Sequence, residues 1–341
     1  MIPGRVRFRY GAAFLGLGNL PLHNARIQIL NFTWDDLGPL ARLCAALHGG
    51  TVGSGAGDAD LLRRELQQPR VRAEEDVFLA WEGQDLVGYA QVAREDRISR
   101  AVMSGGVSPD RRRQGAGRRL LEQGVAYARR LRFHVLDADI PSSNEAAKGL
   151  LVSAGFAHVR TYARYGRDAQ GSPRIPVAEG DAVRLVRPSE MEALTELQNA
   201  AFAGSWGYCP NVPEEVRYSI FELHPKPDPV LVLERGGELI AYCWCHEEGR
   251  AHPGMVGMVG VAPRYRGMGL GSVVVSAAID HLVALGADPL ELTVDGENTP
   301  AVRLYEGLGF RRGRAVHWYE LQLGQVTPLT AARGNGGAAA D

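Results

Sequence analysis

The chain has 341 residues, of which 45% are hydrophobic, and a formal net charge of −1. That length fits one large or two ordinary domains with a proper apolar core. The near-neutral balance gives no support for nucleic acid or another polyanion as a partner. No apolar run reaches membrane-spanning length, so no membrane partner is expected either. The basic residues are almost all arginine, Lys148 and Lys226 being the lysines. Cys44, Cys209, Cys243 and Cys245 have no metal-ligand spacing, so no metal is expected, and free thiols in a reducing cytoplasm are the plain reading.

Residues 1–26 carry basic side chains and a short Gly-rich apolar piece at 12–20. They read as an N-terminal extension, disordered or loosely docked, rather than a signal peptide. Residues 27–30 form a short strand. Thr33, Asp35 and Asp36 supply the N-cap and acidic first turn of a helix to residue 47. A Gly-rich loop at 48–58 and a polar helix at 59–68 follow. Residues 77–81 and 85–93 flank Glu82-Gly83-Gln84, a hairpin signature. Strand 100–107 runs into Val107-Ser-Pro-Asp-Arg-Arg-Arg-Gln-Gly-Ala-Gly117, then a helix to about residue 131, a strand at 133–140, a helix at 144–153 and a strand at 157–165. Residues 166–180 are rich in Gly, Pro, Ser and Asp and read as a linker.

From Asp181 the same order begins again: strand 182–187, helix 189–202, an aromatic loop, helix 213–221, hairpin 229–245 and strand 254–261. A second glycine loop then leads to a helix ending near 285, strand 289–294, helix 299–307 and a strand to Leu323. Residues 324–341 are Gly/Ala-rich and read as a disordered tail. A shift of 154 residues places Val107 on Val261, Pro109 on Pro263, Arg112 on Arg266, Gly115 on Gly269 and Gly117 on Gly271. It also places Asn144 on Asn298, Ala147 on Ala301, Leu150 on Leu304 and Gly155-Phe156 on Gly309-Phe310, with no gap. A repeat of this length means two copies of one domain rather than a solenoid.

A strand that ends in glycines and passes into a helix is a place to hold phosphate. Glycines let several N–H groups face one anion, and the helix end adds partial positive charge. R-x-x-G-x-G alone is near chance in an Arg- and Gly-rich chain; its recurrence in fixed register is what makes it informative. The pattern V-x-P-x-x-R-G-x-G-x-G at Val261–Gly271, with N-x-x-A-x-x-L-Y-x-x-x-G-F at Asn298–Phe310, resembles the GCN5-related N-acetyltransferase (GNAT) family. The tandem layout, with its Asn199-Ala-Ala-Phe-Ala-Gly204 segment, is similar to the mycothiol synthase branch.

The resemblance implies an α/β fold (an α+β mixed sheet) of two tandem acyl-CoA N-acyltransferase (GNAT) domains. They lie at 27–165, non-catalytic, and 181–323, catalytic, and the fourth and fifth strands of each splay to admit acyl-CoA. It implies acetyl-CoA as cosubstrate and the amine of a small molecule, or of a peptide or protein, as acceptor, with the protein a monomer or homodimer. Arg266, Gly267, Met268, Gly269, Leu270 and Gly271 would meet the pyrophosphate. The edge at Val259, Gly260 and Val261 would pair with pantetheine and supply the N–H that polarises the carbonyl. Tyr305 sits where the family keeps its general acid. Asn298 caps the helix at 299–307, bonds pantetheine, or does both.

No carboxylate stands on strand 254–261, where many members place a base. His246, Asp295, Glu297 and a water chain remain alternatives. In the first copy Leu151 replaces the tyrosine and cannot donate a proton. Val107, Arg112, Gly115, Gly117 and Asn144 remain there and Arg113 crowds the loop, either for CoA binding without chemistry or as packing and a solvated face. Phe202, Trp206, Tyr208, Tyr218 and Phe221 either line an acceptor pocket or pack the domain interface. A non-catalytic acyl-CoA-binding or regulatory module is the competing function.

Overall fold

The computed structural model describes residues 27–47, 58–171, 175–247 and 252–324. The N-terminal extension, most of the Gly-rich loop before Asp58 and the tail beyond Gly324 lie outside the described residues. The first half comprises β1 (Gln28–Asn31), α1 (Leu37–Leu47), α2 (Ala59–Leu66), α3 (Ala73–Asp76), β2 (Val77–Glu82), β3 (Asp85–Glu95), β4 (Arg100–Val107), α4 (Ala116–Arg130), β5 (Val135–Pro141), α5 (Glu145–Ser153) and β6 (Ala157–Arg167). The second comprises β7 (Asp181–Leu185), α6 (Met191–Phe202), α7 (Pro213–Phe221), β8 (Val230–Arg235), β9 (Glu238–His246), β10 (Gly254–Val261), α8 (Leu270–Ala284), β11 (Leu290–Asp295), α9 (Thr299–Gly307) and β12 (Arg311–Gln322).

Local chemistry sets several of these boundaries. The Asp36 carboxylate accepts from the Thr33 N–H at 2.8 Å and its hydroxyl at 2.9 Å, fixing the turn that enters α1. Asp58 starts α2 by accepting from Asp60 N–H at 2.9 Å and Leu61 N–H at 3.2 Å. The 154-residue shift is kept in three dimensions, since β4, α4 and α5 map onto β10, α8 and α9. The sequence pattern shows no sign of α3, a single turn whose Asp76 accepts from Arg72 N–H at 2.7 Å.

Among the described residues the twelve strands lie in one mixed sheet, ordered β1-β2-β3-β4-β5-β12-β6-β11-β10-β9-β8-β7. The order is not two halves side by side. β12, which closes the second half, pairs antiparallel with β5 of the first, from Val316↔Pro141 to Gln322↔Val135. β6, which closes the first half, pairs with β11 of the second, from Leu290↔Arg167 to Asp295↔Tyr162. The two exchanged strands also pair with each other. The stretch expected as a linker therefore begins inside a strand, because β6 runs to Arg167.

Helices cover both faces. In the second half α8 buries Val274, Ile279 and Leu282 against Cys243, Cys245 and Leu290 on one face. On the other, Leu194 of α6 and Ile220 of α7 meet Val232, Tyr242 and Trp244. Strand alternation sends Tyr242 and Trp244 to one side of β9 and Cys243 and Cys245 to the other. Each fully buried apolar side chain is worth about 1.5–3 kcal/mol. All four cysteines are buried free thiols. No described helix is long and apolar enough to cross a membrane.

A buried ion cluster also joins the halves. Arg100, Glu95 and Asp137 are 4%, 2% and 0% exposed. The Arg100 guanidinium donates from Nε to Glu95, from Nη1 to Asp137 Oδ2 at 3.1 Å and from Nη2 to the Gly207 carbonyl at 2.6 Å. It also lies over the Trp206 ring, 5.6 Å from its centroid. Trp206 packs edge-on against Trp318 at 5.4 Å. Nearby, Glu215 pairs with Arg70 and with Arg97 at 3.0 Å, and Tyr218 donates to the Arg64 carbonyl at 2.8 Å. Trp206 and Tyr218, two of the five aromatics whose role the sequence left open, therefore belong to the junction.

Arg100→Met would leave Glu95 and Asp137 buried without their cation. A loss of about 3–5 kcal/mol in urea unfolding is expected; a loss below about 1 kcal/mol would contradict the clamp. Glu215 gives a pH signature. Burial by itself raises its carboxyl, but hydrogen bonds and charge from Arg70 and Arg97 outweigh burial and hold it below the usual range. A depressed carboxyl stabilises the fold above its unfolded value, about 4.3, and that contribution disappears as pH falls through the folded value. Stability of the wild type should fall more steeply than that of Glu215→Gln below about pH 4.3; parallel curves would remove Glu215 from the acid response.

Candidate active site

Each glycine loop joins a strand to a fifteen-residue helix, β4 to α4 and β10 to α8. The residue before each helix is left-handed, Gly115 at φ 94° and Gly269 at φ 77°. Gly267 is left-handed too, at φ 78°, and its counterpart Arg113 holds φ 65° with a full side chain. A non-glycine residue there costs about 1–2 kcal/mol. Among the described residues, the N–H groups of Gly267 to Gly271 donate to no acceptor in the chain. Together with the start of α8 they make a set of donors suited to a diphosphate. Arg266 donates from Nη2 to the Ala201 carbonyl at 2.7 Å, which ties the loop to α6. Arg112 instead turns back onto the Val107 carbonyl, 3.1 Å from Nε.

Beside each loop the parallel strands part. β4 and β5 pair from Arg100↔Val135 to Met103↔Ala138 and then separate. β10 and β11 pair only from Gly254↔Leu290 to Val256↔Leu292. The rest of β10, including Val259, Gly260 and Val261, keeps its ladder to β9 on one side and faces the opening on the other. That ladder is irregular between Val256 and Met258, at Gly257. A bulge of this kind re-aims backbone groups. The first copy has none, since β3 and β4 pair without interruption from Gly88↔Val107 to Glu95↔Arg100 and Met103 stands where Gly257 does. Gly260 is needed for a second reason: a Cβ there would meet Tyr242 Cε1 at 2.4 Å and Ala201 Cβ at 2.9 Å.

Tyr305 projects from α9 into the core on the α8 side of the sheet, 8% exposed. Its ring meets Phe310 edge-on, with centroids 6.1 Å apart. Burial, with added repulsion from Cys243 and Cys245, pushes its hydroxyl above the usual tyrosine value. The group is thus fully protonated at neutral pH, as a proton donor must be. Leu151 holds the equivalent place in the first copy, where it lines a small cleft with Gly105, Gly106, Leu120 and Ile140. Asn298 and Asn144 cap α9 and α5 by accepting from Ala301 N–H at 3.2 Å and Ala147 N–H at 3.1 Å. The capping half of the Asn298 reading is therefore present.

The base alternatives separate by position. Asp295 ends β11 on the far wall of the opening, and burial raises its carboxyl, an effect that Arg160 only partly offsets. Glu297 is exposed and paired with Arg160. His246 gives Nδ1 to Asp228 Oδ1 at 2.7 Å. Phe202 and Tyr208 stack at 5.6 Å, and the Tyr208 hydroxyl donates to Asn199, so both stay beside α6. Phe221 packs at the edge of the α6 cluster. Sequence reasoning missed the Gly257 bulge. Its one signal was the Gly257/Met103 mismatch under the 154-residue shift.

The acetyltransferase (GNAT) family model matches residues 47–156 and again 191–310. The chain belongs to the GNAT family. Mycothiol acetyltransferase of Pseudarthrobacter chlorophenolicus is 34% identical over 245 residues, covering 67% of this chain and 72% of that one. The Thermomonospora curvata enzyme of the same name is 32% identical, covering 69% and 78%. Among solved structures, a GNAT from Sphaerobacter thermophilus superimposes with a TM-score of 0.67 at 21% identity, covering 89% of this chain and 97% of that one. A tandem GNAT protein of the clavulanic acid pathway gives 0.68 at 18% identity, covering 88% and 99%. This GNAT chain is an N-acetyltransferase moving an acetyl group to an amine, and the reading as a non-catalytic module is not favoured.

Gly269→Ala has open space for its Cβ, so its cost is purely that of the left-handed backbone. With alanine the empty loop relaxes out of the left-handed turn, and re-forming that turn around the ligand costs about 1–2 kcal/mol, roughly tenfold weaker acetyl-CoA binding by calorimetry. Unchanged affinity would mean that the second loop does not hold the cosubstrate.

Proposed function

We propose that the second half carries the transfer, from acetyl-CoA to a small-molecule amine of the mycothiol kind. One observation carries this reading: only the second copy combines the glycine loop with a bulged β10 and a buried tyrosine at the acid position. The loop from Arg266 to Gly271 would hold the pyrophosphate, and Val259 to Val261 would pair with pantetheine as an added strand does. Acetyl-CoA brings the activated thioester; the chain contributes position and charge stabilisation.

As the amine nitrogen forms its bond to the carbonyl carbon, backbone N–H groups between Gly257 and Gly260 hold the developing oxyanion. Tyr305 gives its proton to the sulfur as the C–S bond breaks and the sulfur keeps the electron pair. The ammonium proton leaves to solvent or to a base, and Asp295 is the carboxylate whose position favours that part. The first half, with Leu151 in place of the tyrosine, serves as scaffold or as a binding cleft without chemistry.

The mycothiol assignment rests on the named relatives, so deacetylated mycothiol is the first acceptor to test. Thiol release from acetyl-CoA should be faster with it than with unrelated amines; equal rates across the panel would remove that substrate class. Tyr305→Phe should lower kcat by about 100-fold while KM for acetyl-CoA stays within about twofold. Undiminished turnover would remove Tyr305 as the acid.

A further inference from the structure

Three metal-ligating side chains meet at the end of β9 away from the glycine loop. His246 is the last residue of β9 and faces Met255 of β10 in register. Asp228 and His224 come from the segment between α7 and β8. Their side chains are 13%, 5% and 16% exposed. Asp228 Oδ1 lies 2.7 Å from His246 Nδ1 and 3.1 Å from His224 Nδ1. One ligating atom from each residue falls within 4.8 Å of the others. The imidazole centroids are 4.0 Å apart. The other carboxylate oxygen, Oδ2, accepts from Trp244 Nε1–H at 2.9 Å.

The contact made by His224 is unusual. Its Nδ1 is buried and 3.1 Å from the carboxylate, yet it does not meet the geometry of a hydrogen bond. A buried imidazole nitrogen beside an anion but poorly bonded to it is costly unless something else satisfies it. A cation between the three atoms would do so.

We propose that His224, Asp228 and His246 form a binding site for a divalent cation of the zinc class. Two imidazole nitrogens and one carboxylate oxygen suit that ion and leave a fourth position for water or another ligand. Trp244 orients the free carboxylate oxygen, as outer partners of metal ligands do. Ligands about 2.0–2.1 Å from a tetrahedral zinc sit about 3.3 Å apart, so the two Nδ1–Oδ1 separations would open by roughly 0.2–0.6 Å. The site belongs to the second half alone: Ala101, the counterpart of Met255, faces Arg94 where Met255 faces His246. Met255 immediately precedes Val256, the last β10 residue paired with β11, so the ion would sit at the head of the opening. The glycine loop lies six residues along β10, about 20 Å away.

The full-length protein, stripped with chelator and dialysed, is titrated with zinc chloride by calorimetry and with cobalt chloride by visible absorption. The wild type should bind one more equivalent of Zn²⁺ than either His224→Gln or Asp228→Asn. It should also show tetrahedral cobalt bands that both variants lack. Trp244→Phe should weaken binding by about tenfold or more. Acetyl-CoA affinity measured on each preparation reports whether it has folded; His224→Gln, the most exposed ligand, carries the test if Asp228→Asn fails to fold. Equal stoichiometry in wild type and His224→Gln, or no saturable binding by the wild type, would reduce the cluster to a hydrogen-bonded clamp and overturn the proposal. These readouts need no acceptor amine, so they succeed or fail independently of the mycothiol reading.

Discussion

The antiparallel pairing of β6 with β12 is the interaction on which the rest of this structure depends. Each strand ends one half of the chain and fills a place in the other half's sheet. Without the exchange, β5 and β11 would each expose an edge directly beside the opening that the fold needs. A row of unpaired N–H and C=O groups there would invite strand addition by another chain. With the exchange the two parting strands, β5 and β11, are braced from behind, and each opening is held by residues distant in sequence. The Arg100 cluster reinforces the same junction from a different direction, with buried charge rather than ladder hydrogen bonds.

The braced frame also explains how two copies can diverge in chemistry while staying alike in shape. Backbone features common to both copies recur: the left-handed residue before each helix, the asparagine caps and the partial pairing of the parallel strands. Arg113 shows how firmly the loop conformation is imposed, since it holds a left-handed turn that its counterpart achieves with glycine. Two of the differences fall on groups that the proposed reaction places beside the thioester. Gly257 bulges where Met103 does not, and Tyr305 replaces Leu151.

Much of this was legible in the sequence because it depends on local rules. Strands β4 and β10 and helices α7 and α9 fall where periodicity, caps and glycines put them, and the repeat alone locates the loops. The exchange was not legible. A strand reads the same whichever partner it takes, so β6 and β12 carried no mark of their crossing. The roles of Trp206 and Tyr218 were hidden for the same reason: an aromatic residue in a variable loop suits a pocket or a junction equally, and only Arg100 and Arg64, far away in sequence, decide between them.

His246 illustrates the limit most clearly. As one histidine at the end of an apolar strand it reads as a satisfied surface group. In space it shares one carboxylate oxygen with a second imidazole, while an indole holds the other oxygen. His224 and Asp228 stand four apart in the turn that leads into β8, but the third ligand comes from β9, so the sequence shows a lone pair rather than a set of three. Ligand motifs are readable when a single helix or loop presents them; when a sheet register brings them together, the register must be known first. The same reasoning separates the two ends of β10. The glycine loop is local and announces itself, whereas the cluster at the Met255 end is assembled from two segments, β9 and the turn that leads into β8.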